Sequence, residues 1–485
     1  MKRIKKILSI TLLFVTILSN IVPIFADDKN GWPYYNEEIS SKAAVVMDAD
    51  SSKMLYSYNQ DKRLYPASLA KIMTAIIVFD YVKGNYDSLV NFSYTAVTKD
   101  IDRNSVTIGA SAGDQLSIKD CLYSLLLPSA NDVANALAEY VAGSINDFVL
   151  LMNEKVENLG LKNTHFVNPS GLHDDNQYTT AYDMAKILQY AMTYPIFYQI
   201  SSSISYRHAP IRRFKNPDNS NNQVLNTNSI IVPGSGYYYN GATSGKTGHT
   251  KLAGYNLAAS ARKNDMNLIC VVLGASSDKI RFNETKKLFD FHFDNYKSLS
   301  IKKFDKRFSD SISNISINDV NLIEALNITC NENAHITLPK NIDENKVTSE
   351  ISFQIDDPYN PYAIGSITYH LNNILVGKCT LEGRNFKEIE SIYTVYLNLS
   401  KALEEKTDTS VTNNTITQKN PTSALIYRNN NGNLVISNTL ITVFLIIIIF
   451  VLIIAISSFL YVKVLSNTNI QINKFLFRLR RKLKS

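Results

Sequence analysis

Cysteine is scarce in this chain: four residues in 485, at positions 121, 270, 330 and 379. So few cannot supply the dense disulfide framework of a small stapled domain, and a chain this long and 45% hydrophobic buries a core without one. One bridge in each part, Cys121 with Cys270 and Cys330 with Cys379, is compatible with the number, as are buried free thiols. There is no C-x-x-C and no Cys/His cluster, and the seven histidines have no ligand spacing, so neither a metal nor another cofactor is expected. No internal repeat is found. Spread-out positive charge is missing too, although Lys and Arg total 50 against 43 acids. Four of those cations lie in residues 1–6 and seven in 463–485, stretches without an acid. The body between them is slightly acidic, which removes the support for nucleic acid as a partner.

The basic ends read as targeting signals. After Lys2, Arg3, Lys5 and Lys6 comes an uncharged apolar stretch from Ile7 to Phe25, then Ala26 and two aspartates. This is the pattern of a signal peptide over residues 1–26, and it predicts export. Leu440 to Val462 is uncharged and rich in Ile, Leu, Val and Phe, long enough at ~1.5 Å per residue to cross a ~30 Å hydrocarbon core. The basic tail at 463–485 then stays in the cytoplasm and everything before Leu440 lies outside. A transmembrane helix at 440–462 is preceded by a Thr-, Asn- and Ser-rich flexible stalk at 398–439.

Between the ends, Lys42–Asp48 and Lys53–Tyr58 read as two strands around a turn. A helix follows from Ser68 to about Val82, with Leu69, Ile72, Met73, Ile76 and Ile77 at helical spacing behind Pro66. Ser144 with Asp147 and Thr180 with Asp183 have the capping form and open further helices. Tyr255–Arg262 and Met266–Leu273 form a second hairpin, and Asn283–Tyr296 a closing helix. Strands at both ends with helices between imply an α+β domain whose first and last strands share one antiparallel sheet. From 298 to 397 short alternating runs, such as Ile364–Leu371 and Ile374–Leu381, predict a small all-β domain.

Three short strings carry chemistry. Ser68-Leu69-Ala70-Lys71 is an S-x-x-K at a helix start, Ser129-Ala130-Asn131 an S-x-N in a loop before a helix, and Lys246-Thr247-Gly248 the one K-T-G in the chain. The first two forms recur elsewhere, at Ser276–Lys279 and Ser144–Asn146 for example, so order and context decide. A serine hydroxyl needs a base within hydrogen-bond reach to act as a nucleophile. Three residues apart on a helix, Ser68 and Lys71 meet, and Lys71 becomes that base if burial and a neighbouring cation, Lys246, lower its pKa. The positive end of the helix favours developing negative charge. Ser129 would relay the proton and Asn131 would orient Lys71 or a substrate amide. On a strand edge Gly248 would admit a substrate backbone while Lys246 and Thr247 face its carboxylate.

In that order the strings resemble the signature of penicillin-binding proteins and β-lactamases. The longer runs YPASLAKIMTA around Ser68, Asn153–Ala185, and GKTGHTKLAGYNLAASA from Gly245 are similar to the low-molecular-mass serine D-alanyl-D-alanine carboxypeptidases. The likeness covers about 38–296, and more loosely the β region. It implies a transpeptidase-like catalytic domain over 27–297, removal of the terminal D-Ala from peptidoglycan pentapeptide stems, and β-lactams as covalent inhibitors. It also implies that Arg281, 35 residues after Lys246, binds the substrate carboxylate, and that the N–H groups of Ser68 and His249 form the oxyanion hole. Two departures stand out: Ala130 replaces a common Gly, and a full span replaces the amphipathic helix by which many relatives hold the membrane.

The alternatives are of other kinds. A β-lactamase shares the three strings but needs neither β domain nor span. A non-catalytic β-lactam sensor would carry a cytoplasmic signalling domain, for which the tail is too short. A structural wall-binding protein with a dead site would lack Ser68 or Lys71.

Overall fold

The computed structural model describes residues 32–101, 105–212, 222–305, 333–353 and 363–383, with short backbone segments at 316–317, 320–321, 328–330, 426–428 and 434–436. The expected signal peptide, transmembrane helix and basic tail lie outside the described residues. Among the described residues no helix is long and apolar enough to cross a membrane. Within the stretch expected as a stalk, Ile426–Arg428 and Leu434–Ile436 pair as a short antiparallel hairpin.

The first strand, β1 (Ala43–Asp48), is AAVVMD and is buried along its whole length. A strand that is buried at every position, and apolar at all but its last, needs cover on both faces. It lies inside a five-stranded antiparallel sheet, between β2 (Met54–Tyr58) and a strand from the far end of the domain. Five principal helices follow: α1 (Ala70–Val82), α2 (Ile118–Leu126), α3 (Asn131–Ala142), α4 (Ile145–Asn158) and α5 (Ala181–Ala191). The side-chain oxygens of Ser144 and Thr180 accept the N–H of Asp147 and Asp183, so both expected caps are made. Three strands close the sheet: β3 (Ala242–Thr250), β4 (Gly254–Lys263) and β5 (Met266–Ala275), in the order β2-β1-β5-β4-β3. First and last strands therefore share one sheet, with Ala43 opposite Leu273 and Asp48 opposite Leu268.

Alternation along the strands divides the core in two. Val45, Met47, Ile269, Val271 and Leu273 pack against α1 and the other helices of one layer. Ala44, Val46, Leu268, Cys270 and Val272 pack on the opposite face against Phe282, Leu288 and Phe289 of α6 (Asp278–Asn295). That helix begins five residues before the expected Asn283, because the Ser277 hydroxyl accepts the N–H of Ile280 and caps it there. Helix α1 is buried on nearly every side, since it runs through the helical layer instead of covering its surface.

Six further strands form a second antiparallel sheet: β6 (Tyr296–Ser300), β7 (Ile328–Cys330), β8 (His335–Pro339), β9 (Thr348–Phe353), β10 (Ala363–Leu371) and β11 (Ile374–Gly383). Asn372 and Asn373, both at positive φ, make the tight turn between β10 and β11 that such hairpins favour. Cys379 in β11 is disulfide-bonded, while Cys121 and Cys270 are buried free thiols. The two sheets are tied by named bonds. Thr337 donates to Asp48 at 2.8 Å and lies 2.5 Å from the Ser51 hydroxyl, and Lys53 donates to the Leu375 carbonyl at 2.7 Å.

Candidate active site

Ser68 stands in a single 3-10 turn, Ala67–Leu69, that leads directly into α1. Ala67 adopts φ +49°, an unfavourable value for a residue with a side chain. The chain around it is held in place by contact: a Cβ on Gly171 would lie 1.9 Å from the Ala67 carbonyl oxygen. Asn256 secures the same turn, its amide donating to the carbonyls of Tyr65 and Pro66 at 2.9 and 3.0 Å.

Lys71 sits on the first turn of α1, fully buried, with Nζ 3.3 Å from Ser68 Oγ. The same amine donates to Asn131 Oδ1 at 2.7 Å and to the Ser170 carbonyl at 2.5 Å. Burial holds its pKa well below the ordinary lysine value, and the charge of Lys246 pushes it the same way. Lys246, also buried, donates to the Thr247 carbonyl at 3.1 Å, and its pKa falls to about 7 through burial and the nearby Arg281. A lysine whose proton is this weakly held is suited to accept one from a hydroxyl.

Ser129 lies two residues before Asn131, at φ +78°, with a buried hydroxyl that has no hydrogen-bond partner among the described residues. Asn131 is the first residue of α3. Thr247 is nearly buried and its hydroxyl lies 2.6 Å from that of Thr227. Gly248 lies against the serine turn. A Cβ there would lie 3.0 Å from the Pro66 carbonyl and 3.1 Å from the Ser68 nitrogen, so the missing side chain makes room for the serine turn itself. His249 is exposed, its ring 4.2 Å from that of Tyr255. Arg281 donates to the carbonyls of Gly248 and Asn256 at 3.1 and 2.9 Å and pairs with Asp278, while its buried Nε has no partner among the described residues.

The structure thus gathers Ser68, Lys71, Asn131, Lys246 and Gly248 around one turn, although they come from three distant stretches of the sequence. It adds three residues that sequence reasoning passed over as individuals. Ser170 acts through its carbonyl, to which its side-chain type gives no clue. Thr227 lies in a polar stretch without periodicity. Asn256 had a signal, being a large polar residue beside the apolar, buried run that begins at Leu257.

The model of the D-alanyl-D-alanine carboxypeptidase family, peptidase S11, matches residues 31–277. The chain belongs to this family. It is 31% identical over 360 residues to D-alanyl-D-alanine carboxypeptidase DacF of Bacillus subtilis, covering 72% of this chain and 85% of that protein. Identity with DacA of Escherichia coli is 34% over 319 residues, covering 63% and 74%. Among solved structures, penicillin binding protein 5 from Haemophilus influenzae aligns with a TM-score of 0.56 at 28% identity, over 73% of this chain and 99% of that one. Penicillin binding protein 6B from Escherichia coli gives 0.53 at 26%, over 72% and 96%. This D-alanyl-D-alanine carboxypeptidase family member is therefore a serine-type peptidase with the penicillin-binding fold.

Proposed function

We propose that the chain removes the terminal D-alanine from peptidoglycan pentapeptide stems through an acyl-enzyme on Ser68. The observation that carries this reading is the Lys71 amine, buried beside a second cation and 3.3 Å from the Ser68 hydroxyl. Ser68 Oγ attacks the carbonyl between the last two D-alanines while its proton passes to neutral Lys71. The C–N bond then breaks, and the departing amine takes a proton through Ser129. Water attacks the remaining ester, gives a proton to Lys71, and the serine hydroxyl is restored. Asn131 orients the Lys71 amine, and the N–H groups of Ser68 and His249 receive the oxyanion. Lys246, Thr247 and Arg281 bind the terminal carboxylate, and Gly248 keeps the strand close to the serine. A β-lactam acylates Ser68 by the same attack.

The charge pattern supports an exported enzyme with its catalytic domain outside the cell membrane. In this reading residues 1–26 are removed, 27–297 form the catalytic domain, 298–397 a small β domain and 398–439 the stalk. A single span at 440–462 then anchors the chain, with the tail at 463–485 inside.

The test is release of free D-alanine from a pentapeptide ending in D-Ala-D-Ala, with and without penicillin. The proposal predicts release that penicillin blocks. Destruction of the penicillin without D-alanine release would identify a β-lactamase, and stable binding without turnover a receptor.

A further inference from the structure

Among the described residues the one partner of the Thr247 hydroxyl is the hydroxyl of Thr227, 2.6 Å away. Thr227 belongs to neither the K-T-G strand nor the serine turn, and lies just ahead of the 3-10 turn Ser229–Ile231. Its neighbours hold it there from both sides. The Asn226 amide donates to the carbonyls of Ser201 and Ser203, both at 3.0 Å, and its Oδ1 accepts the Asn228 N–H at 2.8 Å. Asn228 is fully buried and packs behind β3: a Cβ on Gly245 would lie 3.0 Å from its amide nitrogen. Thr227 itself joins two walls of the site. Its N–H and its hydroxyl both lie 3.1 Å from the carbonyl of Leu127, the residue that ends α2 two positions before Ser129.

Each of the two hydroxyls has a single hydrogen to give, so the pair can be wired in two directions. In the first, Thr247 donates to Thr227 and Thr227 donates to the Leu127 carbonyl, and Thr247 has no hydrogen left for a substrate. In the second, Thr227 donates to Thr247, and Thr247 donates outward to an anion. The Leu127 carbonyl keeps the Thr227 N–H in both, so the reversal strands no buried acceptor. A hydroxyl that already accepts one hydrogen bond donates a stronger one, and a bond to a carboxylate is charge-assisted. An arriving carboxylate therefore favours the second direction.

We propose that Thr227 is a positioning residue for recognition of the substrate's terminal carboxylate. It supplies the hydrogen that lets Thr247 turn its own towards the anion, and so contributes to the selection of stems that end in a free carboxylate. No covalent bond changes; two hydroxyls rotate. The inference rests on the reading above in which Thr247 binds that carboxylate.

The test compares acylation of the full-length chain by benzylpenicillin and by its methyl ester, which keeps the lactam and removes the anion. Rates are followed by the mass of the intact protein in wild type, Thr227→Val, Thr227→Ser, Thr247→Val and the double valine variant. Valine keeps the shape of threonine without its hydroxyl, and Thr227 is exposed, so the substitution opens no cavity in the core. Thr227→Ala serves alike if the valine variant does not fold. The proposal predicts that Thr227→Val lowers the acid-to-ester rate ratio by about fivefold, that Thr227→Ser stays within about twofold of wild type, and that Thr227→Val changes nothing further once Thr247→Val is present. An equal fall in acid and ester rates would overturn it, because that result reports a distorted serine turn. An additive loss in the double variant, or no recovery in the serine variant, would overturn it as well. A ratio lowered by Thr247→Val but not by Thr227→Val overturns this inference alone. A ratio unchanged by Thr247→Val overturns the carboxylate reading of Thr247, and the inference falls with it.

Discussion

Burying two lysine amines beside each other destabilises the native chain, and the site uses that penalty to weaken their hold on a proton. For Lys246 the sign follows from its native pKa of about 7 against an ordinary value of 10.5. Between those values the unfolded chain binds the proton and the folded chain does not, so stability rises as pH climbs through that window. Lys246→Met should therefore raise stability near neutral pH by about 0.5–2 kcal/mol in denaturant unfolding while abolishing peptide turnover, a trade between stability and function. In the native enzyme, binding of a terminal carboxylate needs Lys246 charged. The ratio kcat/KM on a pentapeptide should fall as pH rises through about 7, and Lys246→Arg should remove that descending limb. A limb unchanged in the arginine variant would assign it to another group. Chemical type made Ser68, Lys71 and Lys246 legible in the sequence, because their order and context are distinctive. Ser170 was illegible as a functional residue because it contributes a main-chain carbonyl, which no side chain encodes.

At the level of elements, the serine turn depends on a strand that lies 190 residues further along the chain, through the Asn256 amide. That side chain also accepts the Gly274 N–H at 2.8 Å, so it joins β4, β5 and the turn before Leu69. Asn256→Ala removes the bonds to the Tyr65 carbonyl and the Gly274 N–H and leaves the Pro66 carbonyl with the Leu69 N–H alone. It should cost roughly 2–4 kcal/mol, measured by urea unfolding, and should lower turnover beyond what the lost folded fraction explains. Gly171→Ala is expected to act on the same turn from the other side, by driving a methyl into the Ala67 carbonyl. Its turnover should fall by at least about tenfold even where the protein remains folded. The two capped helices were legible because a cap is a local event, a hydroxyl three residues from the N–H it accepts. Strand β3 was only partly so. Its sequence, ATSGKTGHT, has no apolar alternation, and it is a strand because β4 pairs with it along its length. The start of α6 was misplaced for a related reason: its first turn is polar, and the Ser277 cap carries more information there than periodicity does.

Across the whole molecule, the sharing of one sheet by the first and last strands is what brings Ser68 and Lys246 together. That closure was legible because both end segments read as strands, and one continuous apolar run suits the middle of a sheet. The cysteine pattern was not, since four thiols spread along the chain allow bridges and free thiols equally. The structure separates them, and the consequence is measurable. Cys121 and Cys270 are wholly buried, with pKa values raised by that burial, so alkylation of the native chain should leave both unmodified. Denaturation without reductant should expose two reactive thiols, identified by mass spectrometry at positions 121 and 270. Modification of either in the native state would contradict the packing described.

The account stands most heavily on Ser68 as the nucleophile that Lys71 activates. The most direct measurement is mapping of the covalent adduct after brief exposure to a labelled penicillin, by digestion and mass spectrometry, in wild type and Lys71→Ala. The account predicts a single adduct on Ser68 in wild type and acylation slowed by about 100-fold or more in the variant. An adduct on any other residue, or labelling of Lys71→Ala at the wild-type rate, would contradict it.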